Sequence, residues 1–155
     1  MRPMGAEAAI ARLGLELPPA PRPLASYVPV RVHDGLAFVS GQIASSEGSV
    51  LHTGTVGAGV GVAQAQEAAH RCALQILSAL REELGSLDRV VGVVQVSVFV
   101  ASAPSFTEQP AIGNAASDLL VEVFGDAGRH ARAAVGVASL PLGAPVEVAA
   151  IVAIA

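Results

Sequence analysis

The chain has 155 residues, of which 52% are hydrophobic and 14% are charged, and its formal net charge is −4. This composition excludes intrinsic disorder, and a chain of this length is expected to form one folded domain. All nine basic residues are arginine, which excludes both a Schiff-base lysine and a P-loop lysine. The acidic balance and the five aromatic residues argue against a nucleic-acid-binding protein.

Nothing in the sequence indicates export or membrane insertion. The single cysteine, Cys72, cannot form an internal disulfide, and its place in an apolar helical stripe predicts a buried structural thiol. Residues 1–17 are interrupted by charged side chains, and no apolar run approaches about 20 residues. We therefore expect a cytoplasmic protein with no membrane partner.

The predicted elements begin with a short helix at residues 5–13 that ends at Gly14, followed by an extended arm with four prolines between residues 18 and 23. We take residues 1–26 as this N-terminal segment and residues 27–155 as the domain proper. Its predicted elements are strands at 27–32 and 36–40, a loop with a short strand at 44–61, a helix at 62–84, a strand at 90–100, a helix at 114–124, and strands at 132–140 and 146–154.

This order of elements predicts an α+β domain in which two helices pack on one face of a mixed sheet. The chain offers nothing to cover the second face, although its strands are apolar on both sides. Small apolar residues are also frequent for a chain with so few charges, and a monomer would need more polar cover. Both features predict a homo-oligomer.

Two charged residues in the last strands are the strongest candidates for a functional site. Glu147 is the only charge in an apolar strand, so it is either a structural ion pair, a solvent-facing edge residue or a functional carboxylate. Arg132 is flanked by small residues, so it either reaches solvent or binds a carboxylate with its planar guanidinium. A simple hairpin would keep the two residues about 20 Å apart. A shared pocket therefore requires that these strands are not partners, or that the pocket lies between subunits.

Other motifs carry weaker signals. Ser40 lacks the surroundings of a hydrolase nucleophile, and the glycines before the long helix do not match a dinucleotide-binding loop. The four histidines lack metal-ligand spacing, so no metal site is expected. Asn114 is most simply an N-cap, and Tyr27 is expected to open the first strand as a packing residue. Gly41 ends a strand where the backbone can approach a ligand.

Three segments together resemble one protein family. Phe38–Gln42, Ala131–Val135 and Leu140–Val148, with the fifteen-residue step from Arg132 to Glu147, are similar to the Rid (reactive intermediate deaminase) family. These proteins are also called YjgF-like and are often labelled endoribonuclease L-PSP. The N-terminal helix and arm resemble the longer YjgF/chorismate-mutase-like subgroup.

The resemblance implies a chorismate-mutase-like fold and a homotrimer with clefts between its subunits. It also implies a hydrolase that acts on C=N bonds without a cofactor. Its substrates would be 2-imino acids or their enamine tautomers, and its products 2-keto acids and ammonia. The partners would be a small carboxylate-bearing metabolite and further copies of the chain, with no nucleic acid.

The resemblance also assigns roles to individual residues. Arg132 matches the arginine that binds the substrate carboxylate, and Glu147 matches the glutamate that orients water. The matches that line the cleft are Tyr27, Ser40, Gly41, Asn114 and Ala134. Ala133 and Ala134 replace the serine, threonine or cysteine that usually follows the arginine. A non-catalytic carboxylate-binding trimer or a divergent hydrolase is therefore the alternative, with a ribonuclease less favoured.

Overall fold

The computed structural model describes residues 4–22 and 25–155, which form three α-helices and a five-stranded sheet. The helices are α1 (Ala6–Leu13), α2 (Val62–Leu84) and α3 (Gln109–Phe124). The strands are β1 (Val30–His33), β2 (Leu36–Ile43), β3 (Ser45–Ser46), β4 (Ser49–Val50), β5 (Thr55–Val56), β6 (Gly59–Val60), β7 (Val90–Ala101), β8 (Ala131–Val137) and β9 (Val146–Ile154). No helix in the described ranges is long and apolar enough to cross a membrane.

The main sheet has the strand order β1-β2-β9-β7-β8, and β3 to β6 form two small separate pairs. Strand β8 runs parallel to β7, whereas the other neighbouring strands are antiparallel. The last two strands are therefore not hairpin partners, because β7 lies between them. This order makes β8 an edge strand and places β9 in the interior of the sheet.

Helices α2 and α3 cover one face of the sheet, which confirms the predicted layering. Val96, Val98 and Val148 point to this face and are fully buried. The opposite face is open in the single chain, where Phe38 and Val135 are 40% and 46% exposed. Because side chains alternate along a strand, neighbouring residues of β8 or β9 lie on different faces.

Helix α2 has the predicted bounds, but α3 begins at Gln109, five residues before the predicted start. Pro110 occupies the first turn, where a proline is tolerated because its missing N–H has no partner there. The prediction that Asn114 caps this helix was wrong, since Asn114 lies inside it.

The ends of two strands also differ from the prediction. Tyr27 precedes β1 instead of opening it, and it is 55% exposed. Pro29 lacks an N–H and cannot extend the ladder toward Tyr27. Strand β8 ends at Val137 rather than residue 140, since β7 ends at Ala101 and offers no further partner backbone.

The N-terminal segment packs on the helical layer. Glu7 of α1 accepts hydrogen bonds from Arg81 and from the Leu87 backbone, and the Arg81 bond holds the pKa of Glu7 below its ordinary value. The hydroxyl of Ser78 on α2 donates to the Pro18 carbonyl at 2.5 Å. These contacts fix α1 and the start of the proline arm against α2.

Candidate active site

The guanidinium of Arg132 is held against helix α3. Arg132 is in register with the buried Val96, so its side chain points to the helical face of the sheet. Its Nη1 donates to Asn114 Oδ1 at 2.9 Å and to Ser117 Oγ at 3.1 Å. Asn114 and Ser117 are three residues apart and share a face of α3. Arg132 is therefore anchored to α3 through Nη1 and does not simply extend into solvent.

A helical glycine makes room for this arrangement. A Cβ built on Gly113 would lie 3.2 Å from Arg132 Nη1, closer than side chains normally approach. The guanidinium can lie against the α3 backbone because that Cβ is absent. A glycine inside a helix costs about 1 kcal/mol relative to alanine, and here it leaves space for the arginine.

Two residues that sequence reasoning did not select complete the surroundings of Arg132. His130 bonds through Nε2 to Ser117 Oγ at 2.9 Å and through Nδ1 to the Gly128 carbonyl at 2.7 Å. We call Arg132, Asn114, Ser117 and His130 the arginine half-site. A signal for His130 was present, since it lies two residues before Arg132. No feature of the sequence pointed to Ser117.

The arginine half-site borders an open cavity of about 280 Å³. It is lined by Asn114, Ser117, Asp118, Val121, Arg129, His130 and Arg132. Among the described residues, Arg132 Nε and Nη2 have no hydrogen-bond acceptor. Ala134 follows on the same face of β8 and packs against the core. The cavity therefore borders an arginine whose Nε–Nη2 edge is free to bind a carboxylate.

Glu147 lies on the other face of the sheet. It is in register with Phe99 on β7 and with Ile43 on β2. It is not an edge residue, and it has no ion-pair partner within residues 4–22 and 25–155. Within the described residues of one chain, Glu147 therefore lies neither in an ion pair nor on an edge strand. Desolvation by burial raises the pKa of this carboxyl above its ordinary value of 4.5.

The strand beside Glu147 is irregular where it passes the carboxylate. The register of β2 shifts between Val39 and Gln42, and a Cβ built on Gly41 would lie 2.6 Å from Glu147 Oε2. Ser40 donates its hydroxyl hydrogen to the Val28 carbonyl at 2.6 Å, which ties β2 to the segment that follows Tyr27. We call Glu147, Gly41 and Ser40 the glutamate half-site.

The predicted site residues therefore form two groups rather than one. Arg132, Asn114 and Ala134 lie toward the helical face at the β8 edge, whereas Glu147 and Gly41 lie on the open face. The sheet and strand β7 separate the two groups. In the described part of one chain, the two groups therefore lie on opposite faces of the sheet.

Two further residues that the sequence analysis considered, Cys72 and His52, make structural contacts outside both half-sites. Cys72 is fully buried and donates from Sγ to the Val146 carbonyl at 3.8 Å, which confirms a structural thiol. Burial raises the pKa of this thiol far above its ordinary value. His52 pairs with Glu67 at 2.9 Å. In the described part of the chain, no three His, Cys, Asp or Glu side chains are grouped to hold a metal.

Comparison with known proteins identifies the family. The model of the endoribonuclease L-PSP family matches residues 18–154. Protein TCP17 of Trypanosoma cruzi is 50% identical over 142 residues, which cover 91% of this chain and 89% of that protein.

Two crystal structures match over almost the whole chain. Atu1372 of Agrobacterium tumefaciens, described as a protein of unknown function, is 45% identical, with a TM-score of 0.87 and coverage of 96% of this chain and 91% of the other. A candidate endoribonuclease of Shewanella oneidensis MR-1 is 28% identical, with a TM-score of 0.92 and coverage of 97% and 100%. The chain therefore belongs to the endoribonuclease L-PSP family, which is also called the Rid or YjgF-like family.

Proposed function

We propose that this protein is a deaminase that hydrolyses 2-imino acids, or their enamine tautomers, to 2-keto acids and ammonia. Membership of the L-PSP family supports this proposal. The observation that carries it is the state of Arg132: Nη1 is held by two acceptors on α3, and no residue that the structure describes accepts from the Nε–Nη2 edge. A free guanidinium edge beside a cavity suits a bidentate carboxylate.

The reaction requires little from the protein beyond positioning and one proton relay. The imine carbon is already electrophilic, so water adds to it without a cofactor. A new C–O bond forms, a proton passes to the nitrogen, and the C–N bond then breaks to release ammonia and leave the keto acid. Arg132 would fix the substrate carboxylate so that the carbon meets the water in a constant geometry.

Glu147 is the group suited to the proton transfers. Its pKa is raised by desolvation, which brings it closer to the range where a carboxyl both accepts and returns a proton. Ala133 and Ala134 supply no hydroxyl or thiol beside Arg132. In this chain the relay is therefore assigned to Glu147, with no help from the two residues that follow Arg132.

The cleft is proposed to form between neighbouring subunits of a homotrimer. Arg132 and Glu147 lie on opposite faces of one sheet, so a site that contains both requires two copies of the chain. The exposed Phe38 and Val135 on the open face supply apolar surface for such an assembly. Each cleft would then combine the arginine half-site of one copy with the glutamate half-site of the next.

The first test measures ammonia release from an imine generated in situ by an amino-acid oxidase. Arg132→Ala is expected to reduce enzyme-dependent ammonia release by roughly 100-fold or more, because a paired charge contact is lost. Equal rates for wild type, Arg132→Ala and buffer would contradict the proposal. A binding protein without catalysis, which the Ala133 and Ala134 replacements favour, would still bind a stable 2-keto acid through Arg132.

Complementation tests the division of the site between copies. Arg132→Ala and Glu147→Gln are each expected to be inactive alone. When they are co-expressed as mixed trimers, about a quarter of the clefts should regain both native residues. Mixed trimers that are no more active than either variant would exclude a cleft shared between subunits.

A further inference from the structure

We propose that Ser117 and His130 act as positioning residues that orient Arg132 for a planar carboxylate. This inference rests on the proposed function, since it concerns the residue assigned to carboxylate binding. The two residues form a continuous hydrogen-bonded chain from the Gly128 carbonyl to the Arg132 guanidinium. Ser117 bonds directly to the arginine, and His130 acts on it through Ser117; neither is assigned a contact with the reacting atoms.

The backbone carbonyl at one end of this chain sets the direction of every hydrogen bond in it. The Gly128 carbonyl can only accept, so His130 Nδ1 is the donor of this bond, and in the neutral form of the ring its single N–H proton lies there. The other ring nitrogen, Nε2, then carries a lone pair and accepts from the Ser117 hydroxyl at 2.9 Å. The Ser117 oxygen is thereby left as an acceptor for Arg132.

The direction of these bonds determines which edge of the guanidinium is free. Arg132 Nη1 carries two hydrogens, and Asn114 Oδ1 and Ser117 Oγ accept one each. Among the described residues, Nε and Nη2 keep their donors unused. Nε–H and Nη2–H are parallel, so they match the two oxygens of one carboxylate. The arrangement therefore favours a carboxylate over a carboxamide or an ester.

The backbone around His130 leaves little freedom for a different arrangement. A Cβ built on Gly128 would collide with the Leu120 carbonyl and lie 2.9 Å from the Val121 Cα. The turn before β8 is thus packed directly on the α3 backbone, which also carries Ser117. Donor and acceptor are positioned by the same contact between turn and helix.

The test compares removal and retention of each hydrogen bond. Ser117→Ala and His130→Leu interrupt the series of hydrogen bonds from Gly128 to Arg132. Ser117→Thr keeps a hydroxyl and His130→Gln keeps an acceptor. His70→Leu, at an exposed position on α2, is the matched control. The measurements are kcat and KM for ammonia release, and the dissociation constants of 2-oxobutanoate and its amide.

We expect Ser117→Ala and His130→Leu to raise KM and the 2-oxobutanoate dissociation constant about tenfold, with kcat changed less than about threefold. The preference for the acid over the amide should fall by a similar factor, which a loss of fold would not produce. Ser117→Thr and His130→Gln should restore both quantities to within about threefold of wild type. His70→Leu should change neither.

The outcomes separate this inference from the proposed function. If Arg132→Ala abolishes binding while Ser117→Ala and His130→Leu match wild type, the positioning role is wrong and the proposed function stands. If the wild type releases no ammonia but binds 2-oxobutanoate, and the removals weaken that binding, the positioning role stands without the deaminase. If the wild type neither binds 2-oxobutanoate nor releases ammonia, both are overturned.

Discussion

The two half-sites differ in how far a single chain completes them. In the arginine half-site, Nη1 of Arg132 already has both of its acceptors, and a histidine fixes the hydroxyl that provides one of them. In the glutamate half-site, no described residue donates a hydrogen bond to Glu147, and burial raises its pKa. Anion binding is thus prepared by local hydrogen bonds, whereas the acid–base group is left for water, substrate or a second copy to complete.

This difference has a physical basis. Holding the guanidinium at Nη1 costs little, since Arg132 still lines an open cavity and its charge is delocalised. A carboxyl that must gain and lose a proton would be locked in the charged form by strong donors. The unpaired state of Glu147 is therefore suited to proton transfer, and the paired state of Arg132 is suited to recognition.

The largest expected effect separates recognition from proton transfer. Glu147→Gln should lower kcat for ammonia release by about 100-fold or more, because general acid–base catalysis contributes 10²–10⁴-fold. The dissociation constant of 2-oxobutanoate should change less than about threefold. Steady-state kinetics and calorimetric titration measure the two quantities. Weakened binding with unchanged kcat would reverse the roles of the two half-sites.

The second prediction compares the glycines of the two half-sites. Gly128→Ala should lower the free energy of unfolding by about 2 kcal/mol, because its Cβ meets the α3 backbone, which cannot move aside. Gly41→Ala should cost less than about 1 kcal/mol, because its Cβ meets the flexible end of Glu147.

Chemical denaturation at one fixed protein concentration measures both variants. The Gly41 variant should instead lose ammonia release, since the displaced carboxylate can no longer meet the water. Equal destabilisation by the two alanines would show that the glutamate half-site is as rigid as the arginine half-site.

The smallest expected effect concerns pH. Because the folded chain holds the Glu147 proton more tightly than the unfolded chain, this residue makes stability fall as pH rises from about 4.5 through its raised pKa. Glu147→Gln should remove that part of the slope and be at least as stable as wild type at neutral pH. Denaturation curves at several pH values, with Arg132→Ala as the control that keeps Glu147, measure the difference. An unchanged slope would mean that Glu147 is not desolvated.

Several features followed from local patterns alone. The apolar period of residues 62–84 and the glycine after it predicted α2 with its observed bounds. The sequence pointed to Arg132 and Glu147 because a charged side chain in an apolar strand costs free energy unless it is paired or hydrogen-bonded. The same local reasoning failed at α3, where Pro110 and Gly113 belong to the helix. A start at residue 114 predicts a capping role for Asn114, whereas the observed helix makes Asn114 and Ser117 neighbours on one face.

The sequence by itself determined the layers, the long helix and the two charged residues, because hydrophobic period and the cost of a buried charge are local properties of the chain. Only the tertiary structure decided that β7 lies between the last two strands, that the two charges face opposite sides, and that Ser117 and His130 meet at Arg132. Those facts depend on strand order and register, which arise from contacts between residues far apart along the chain.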